Sequence, residues 1–350
     1  MCKISDLKKL NFSIIIAVYQ REDELSELLL SLTKQIDSDF EVLVVDDGSP
    51  IPLKNVVEKF NSKLNIRYFH KKNSGPAASR NFGMKQAFGS YFIFLDSDTL
   101  VPPDYIQIVR QKLTENYTDA FGGPDAADES FTDLQKAISF SMTSFITTGG
   151  IRGGEKQIGK FQPRSFNMGI SRKAYEKTSG FSNLRIGEDP DLSMNLWEKG
   201  LETQLILEAK VFHKRRTSLS KFAKQVYQFG VARPILNQRH PKYKKITFWF
   251  PSVFNLKLLF ALFCCFFWFL SKGNYFLLLP LFGYWVYFFL IFIFSFLENQ
   301  KLKVAFLSII TTFVQFCSYG LGFLLSWILL NLFKRKPEKA FPHHFRTKEE

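Results

Sequence analysis

The chain is 350 residues long, 46% hydrophobic and 16% aromatic, which leaves room for one large domain and something more. Its four cysteines, Cys2, Cys264, Cys265 and Cys317, show no metal-ligand spacing and no disulfide framework, which excludes a disulfide-stapled domain and fits a cytosolic catalytic one. The formal net charge of +14 leaves a nucleic acid or a membrane surface as the alternatives, separated by where the charge lies.

The first hundred residues alternate strand and helix. Met1–Asn11 is largely polar and carries three Lys, so no signal peptide is expected. Ser13–Val18 is a short apolar strand. Glu22–Lys34 sets Leu25, Leu28, Leu29 and Leu32 at helical spacing. Phe40–Val45 is a second strand, closed by Asp46-Asp47-Gly48-Ser49-Pro50. Leu53–Phe60 reads as helix and Ile66–Phe69 as a third strand. Asn73-Ser74-Gly75-Pro76 makes a turn whose proline suits a first helical position, and that helix runs to Phe88. Tyr91–Leu95 is a fourth strand, ending in Asp96-Ser97-Asp98. This alternation predicts an α/β domain with a mostly parallel sheet covered on both faces. The region Pro102–Val211 is less regular. Gly149–Gly154 and the basic stretch after it read as a mobile loop, and Phe166–Ile170 as a short strand. A helix opens around Ile186–Ser193 and stops at Gly200, with Glu188, Asp189 and Asp191 where acids suit the helix dipole.

Between Lys210 and Lys245 there are eleven Lys or Arg and no Asp or Glu. Within this run Ser218–Phe229 spaces Leu219, Phe222, Val226 and Phe229 as a helix, either lying on a membrane or packed on the catalytic domain. Three apolar stretches follow, Val253–Leu270, Tyr275–Leu297 and Val304–Phe333, each long enough for a hydrocarbon core of roughly 30 Å. A basic segment directly before them favours anionic lipid over nucleic acid. The positive-inside rule then puts residues 1–245 in the cytoplasm, at the inner membrane. The expected order is a catalytic domain over 1–245, about three transmembrane helices over 246–333 and a basic tail over 334–350. Three spans would put Lys334-Arg335-Lys336 outside, against that rule. The alternative is a break of the last stretch near Gly320 and Gly322 into a hairpin.

In a parallel α/β sheet the ligand sits beyond the carboxyl ends of the strands. Tyr19, the Asp46/Asp47 pair and the Asp96/Asp98 pair all fall there. Two carboxylates one residue apart can hold Mg²⁺ or Mn²⁺, which grips a phosphate.

Taken together, these motifs resemble the family 2 glycosyltransferases, of GT-A (Rossmann-like) fold, over about residues 11–235. The residues that carry the likeness are Ala17-Val18-Tyr19-Gln20, Asp46-Asp47-Gly48-Ser49, Gly75-Pro76 with Arg80-Asn81, Asp96-Ser97-Asp98, and Glu188-Asp189 followed by Asp191-Leu192. The first of these matches the family turn at Tyr19 alone. The resemblance implies that Ala17, Tyr19, Asp46, Asp47, Arg80, Asp96 and Ser97 hold the nucleotide-sugar, and that Asp98 binds the divalent cation. It implies Asp189 as general base, with Glu188, Asp191 and Asn167 on the acceptor side. A late His serves as a metal ligand in several such enzymes, which makes His213 a candidate beside the plainer reading of a surface residue. Arg152, Lys156, Lys160 and Arg164 are candidates for an acceptor diphosphate, or simply a solvated basic loop. The apolar tail suggests the membrane-bound members that build bacterial surface polysaccharides. The Arg-Trp pair of processive members is missing from Gln225–Arg233, which favours addition of one sugar. The implied activity is inverting, metal-dependent transfer from a nucleotide-sugar, a UDP-sugar, to a lipid-linked saccharide. The competing readings are a transferase that charges the carrier lipid itself, and a non-catalytic nucleotide-sugar-binding subunit.

Overall fold

A computed structural model describes residues 10–126, 131–149, 160–213, 218–270 and 274–346. In chain order the elements are β1 (Phe12–Val18), α1 (Glu22–Leu32), β2 (Phe40–Asp46), α2 (Lys54–Glu58), β3 (Ile66–His70), α3 (Pro76–Gln86), β4 (Tyr91–Asp96), β5 (Thr99–Leu100) and α4 (Tyr105–Glu115). Then come β6 (Ala120–Gly122), β7 (Asp125–Ala126), α5 (Asp133–Thr143), α6 (Phe145–Thr148), β8 (Asn167–Ser171), α7 (Arg172–Thr178), α8 (Glu188–Glu198), β9 (Thr203–Leu205) and β10 (Val211–His213). The chain continues through α9 (Leu219–Arg239), α10 (Phe250–Leu270), α11 (Leu279–Asn299), α12 (Leu302–Trp327) and α13 (Pro337–Ala340).

By compactness the chain divides into two units, each made of separate stretches of sequence. The first comprises Met1–Asp128, Gly159–Lys214 and His343–Glu350, and the second Glu129–Ile158 and Arg215–Pro342.

The first unit carries a seven-stranded sheet of order β3-β2-β1-β4-β8-β6-β9 and a three-stranded one of order β5-β10-β7. The β1–β2, β2–β3, β1–β4 and β6–β9 pairs are parallel, and β8 is antiparallel to both neighbours. This is the expected mostly parallel α/β sheet. Strands β1, β2 and β4 are apolar and almost wholly buried because helices cover both faces. Leu25, Leu28, Leu29 and Leu32 of α1 seal one face as their spacing predicts, while Ala77 and Met84 of α3 lie in the cluster on the other. The chain runs outward from β1 through β2 to β3 and returns to the far side of β1 as β4, which makes a topological switch point between β1 and β4. Register sets Val18 beside Asp46 and Ala17 beside Asp96 at that edge.

The second unit is helical, and three of its helical segments are long and apolar enough to cross a membrane: Ile246–Leu270, Tyr275–Asn299 and Leu302–Leu332. The α12 helix runs unbroken through Gly320 and Gly322, so the alternative of a hairpin break there does not hold. Those glycines serve close packing instead. A β-carbon at Gly320 would stand 2.5 Å from Pro251 O, and one at Gly322 only 2.3 Å from Tyr227 O. Hydroxyls fasten the same contacts: Ser252 donates to Gly320 O at 2.9 Å, Ser326 to Val231 O at 2.9 Å and Thr311 to Ala137 O at 3.1 Å. Phe222 and Val226 of α9 pack into a cluster with Ile138 and Met142 of α5, so that apolar face meets protein rather than lipid.

Candidate active site

The loop after β2 is the most heavily wired part of the sheet edge. Asp46 is 0% exposed, and its carboxylate accepts from the amides of Ser49 (3.0 Å) and Leu53 (3.1 Å) and from the Tyr68 hydroxyl (2.6 Å). Burial pushes this carboxyl up, but the Ser49 and Tyr68 hydrogen bonds outweigh it and hold it below its ordinary value. Asp47 accepts from the amides of Ser74 (3.0 Å) and Gly75 (2.7 Å), from the Ser79 hydroxyl (2.9 Å) and from Lys71. Directly after these acids, Gly48 takes φ +80°, and a β-carbon there would meet Asn73 N at 2.7 Å. The Asp-Asp-Gly-Ser turn is thus a clamp that seats the Ser74-Gly75 loop ahead of α3.

At the end of β4 the two acids have different partners. Arg80 Nη2 donates to Asp96 at 2.6 Å, and Arg21 donates to Asp98 at 2.5 Å. Ser97 between them is buried. Tyr19 is 45% exposed at the end of β1, and Ala17 is half-buried. Arg80 is 4% exposed, and its Nη1 is buried without a hydrogen-bond partner. Burial opposes its charge, but Asp96, then Asp189, then Glu188 outweigh it and hold its pKa above the ordinary value. One guanidinium therefore stands among the donor-edge acid and the pair ninety residues later in the chain.

That pair opens α8, whose first residue follows Gly187 at φ +88°, a left-handed conformation suited to glycine. Asp189 Oδ2 accepts from the Ser165 amide at 3.1 Å, while Oδ1 is buried with no partner. Burial, then the Asp189 charge, pushes the Glu188 carboxyl up to about 7, against the pull of Arg80. Asp191 is buried in the same turn. No side chain caps α8, so these acids are not its N-cap.

Asn167 is committed to the fold: it accepts from the Tyr105 hydroxyl at 2.6 Å and donates to Ala209 O at 2.7 Å. Asn81 is equally engaged, since its amide group exchanges two hydrogen bonds with the backbone of Phe181, at 2.8 and 2.9 Å. It ties α3 to the loop before α8. His213 pairs in register with Thr99, one residue from Asp98, but its side chain lies outside the described residues. Arg152 and Lys156 also lie outside them.

No group of three His, Cys, Asp or Glu among the described residues could hold a metal by itself. Mg²⁺ and Mn²⁺ are commonly held by one or two carboxylates and completed by substrate phosphate and water. Asp98, two residues beyond Asp96 and its Arg80 partner, fits such a substrate-completed site, provided Arg21 gives way.

Sequence reasoning missed Arg21, Lys71 and Arg346. Arg21 follows the first motif directly, and Phe345-Arg346 is an aromatic-basic pair in a charged tail. Those were the only signals for them.

The family model for glycosyl transferase family 2 matches residues 13–179. An uncharacterised glycosyltransferase of Haemophilus influenzae is 30% identical over 219 residues, 59% of this chain and 70% of that protein. An uncharacterised glycosyltransferase of Rickettsia felis is 44% identical over 104 residues, 30% of this chain, and the chain spans 17% of that relative's length. Among solved structures, a mannosyltransferase of Pyrobaculum calidifontis, in complex with GDP-Man and Mn²⁺, is similar in fold, with a TM-score of 0.56 and 15% identity over 94% of this chain and 89% of that one.

Proposed function

Because this chain belongs to the family 2 glycosyltransferases, we propose that it moves a single sugar, with inversion, from a UDP-sugar to a membrane lipid-linked saccharide in surface-polysaccharide synthesis. The observation that carries the reading is Arg80, one buried cation among Asp96, Glu188 and Asp189. A group transfer needs a leaving diphosphate and an acceptor hydroxyl on either side of one anomeric carbon, and Arg80 stands among acids of both sides.

Asp98 would hold Mg²⁺ or Mn²⁺, and such a cation, when bound, neutralises the departing diphosphate. Arg80 has Nη1 left to meet an anion. Tyr19, exposed at the β1 end, offers a ring for the nucleobase to stack on. Asp46 and Asn167 brace the β2 loop and β8 through their hydrogen bonds. Asp189 takes the acceptor's proton at Oδ1, the oxygen without a partner, as the hydroxyl attacks.

Membrane attachment rests on the three apolar segments. The chain leaves the first unit after Lys214 and re-enters it at His343. A stretch that starts and ends in one unit crosses a bilayer an even number of times. The α12 helix packs most extensively along α9, which carries Lys221, Lys224, Arg233 and Arg239 and is no membrane span. The crossing pair in this reading is α10 with α11, and α12 lies with α9.

The test is turnover of a panel of nucleotide sugars by the full-length protein with Mg²⁺ or Mn²⁺, with the anomeric configuration of the product read by NMR. Turnover of a UDP-sugar with inversion supports the proposal. Retention, or binding without turnover on any lipid-linked acceptor, sinks it.

A further inference from the structure

The last described residues follow the apolar helices in sequence, yet they belong to the first unit. A short antiparallel bridge holds them, pairing Leu184 with Phe345. The Arg346 amide donates to Asn183 O and the Arg185 amide to His344 O, each at 2.9 Å. Leu184 and Phe345 are both buried, which anchors the bridge. Asn183–Arg185 leads straight into Gly187 and the Glu188-Asp189 pair. The bridge therefore fixes Arg346 at the head of α8.

The side chain of Arg346 reaches the other half of the site. A β-carbon on Gly75 would stand 3.6 Å from its Nε. Its Nη2 makes a long bond to Leu184 O at 3.4 Å, and its Nε is buried without a partner. Burial holds its pKa below the ordinary value, with Arg80 and Arg185 adding to the effect and Glu188 and Asp47 opposing it. Two guanidinium groups, Arg80 and Arg346, thus share one neighbourhood, and each has a buried N–H left over. Like charges so placed repel, and an anion between them relieves the repulsion.

We propose that Arg346 is a phosphate-binding residue of the transferase site, completing with Arg80 a cradle for a substrate phosphate. The phosphate belongs to the donor diphosphate or to a lipid-linked acceptor. This rests on the reading of the site as one for a nucleotide sugar. The binding machinery then includes a residue that lies beyond the apolar helices, outside the segment the family model covers.

The experiment uses the full-length protein in nanodiscs, as wild type, Arg346→Ala and Arg346→Lys. Binding of inorganic pyrophosphate, UDP and uridine is measured with Mn²⁺ present, together with KM for a polyprenyl-diphosphate-linked sugar. A lost charge-assisted contact weakens a ligand about tenfold to a hundredfold. If the donor is the source, Arg346→Ala loses pyrophosphate and UDP by that factor and keeps uridine, while Arg346→Lys recovers part of the loss. If the acceptor is the source, nucleotide binding stays and the acceptor KM rises by that factor. Wild type that binds pyrophosphate through Arg346 but not UDP keeps the cradle and removes the donor reading. Changes within twofold in every ligand, or an equal loss of uridine in both variants, overturn the proposal.

Discussion

Two adjacent acids at the head of α8 have opposite situations. Asp189 has one oxygen tied to Ser165 and one without a partner, whereas Glu188 is pushed up to about 7 by burial and by Asp189. Asp189→Asn keeps the shape and removes the base, so kcat should fall about 10²–10⁴-fold. Nucleotide binding by calorimetry should stay within twofold, and retained turnover would remove Asp189 from that role. Glu188 gives a pH prediction. Its folded carboxyl keeps a proton that the unfolded chain, at 4.5, has already released. Stability therefore falls as pH rises from about 4.5 to about 7. In Glu188→Gln that decline in melting temperature should vanish. Motif residues were legible along the chain as types, but their partners were not. Asp46 and Asn167 read as ligand contacts, and in the fold they also bond to backbone and to Tyr68 and Tyr105. A short polar side chain at a strand end can serve either purpose, and what faces it decides.

At the scale of elements, β1, β2, β4, α1 and α3 fall where apolar spacing and turn residues predict them. Helix α3 begins at Pro76 as expected of a proline that lacks the donor an N-terminus would waste. The loops that carry the chemistry depend on single residues. Gly48→Ala forces a β-carbon to 2.7 Å from a backbone nitrogen at a left-handed φ, costing at least about 1–2 kcal/mol. Asp47 would lose its clamp on Gly75, so nucleotide affinity should fall along with the melting temperature. Asn81 joins α3 to the Phe181 loop. Asn81→Ala leaves a buried amide and carbonyl unpaired, at about 1–3 kcal/mol. Acceptor KM should then rise more than donor KM, because the freed loop leads to α8. Equal changes in both constants would argue that Asn81 merely stabilises the sheet. Neither contact is readable from spacing, since Gly48 meets a loop beyond β3 and Asn81 meets Phe181, 100 positions on.

Across the whole molecule, the proposed even number of crossings predicts that the segment after α12 lies on the same side of the membrane as the first unit. A cysteine introduced at Lys339 should be labelled by a membrane-impermeant maleimide only when the face bearing the catalytic unit is accessible, as for one introduced at Lys63. Labelling of the two from opposite faces would restore three full crossings. The sequence by itself determined the α/β class, the strand ends where polar motifs gather and the three apolar segments, because periodicity and burial are local properties of a chain. The tertiary structure decided which acids have cations against them, that Arg80 stands between two distant motifs, and that Arg346 returns to them. Those contacts join residues separated by tens to hundreds of positions. The energy that selects them comes from burial and charge pairing, which exist after the sheet has formed.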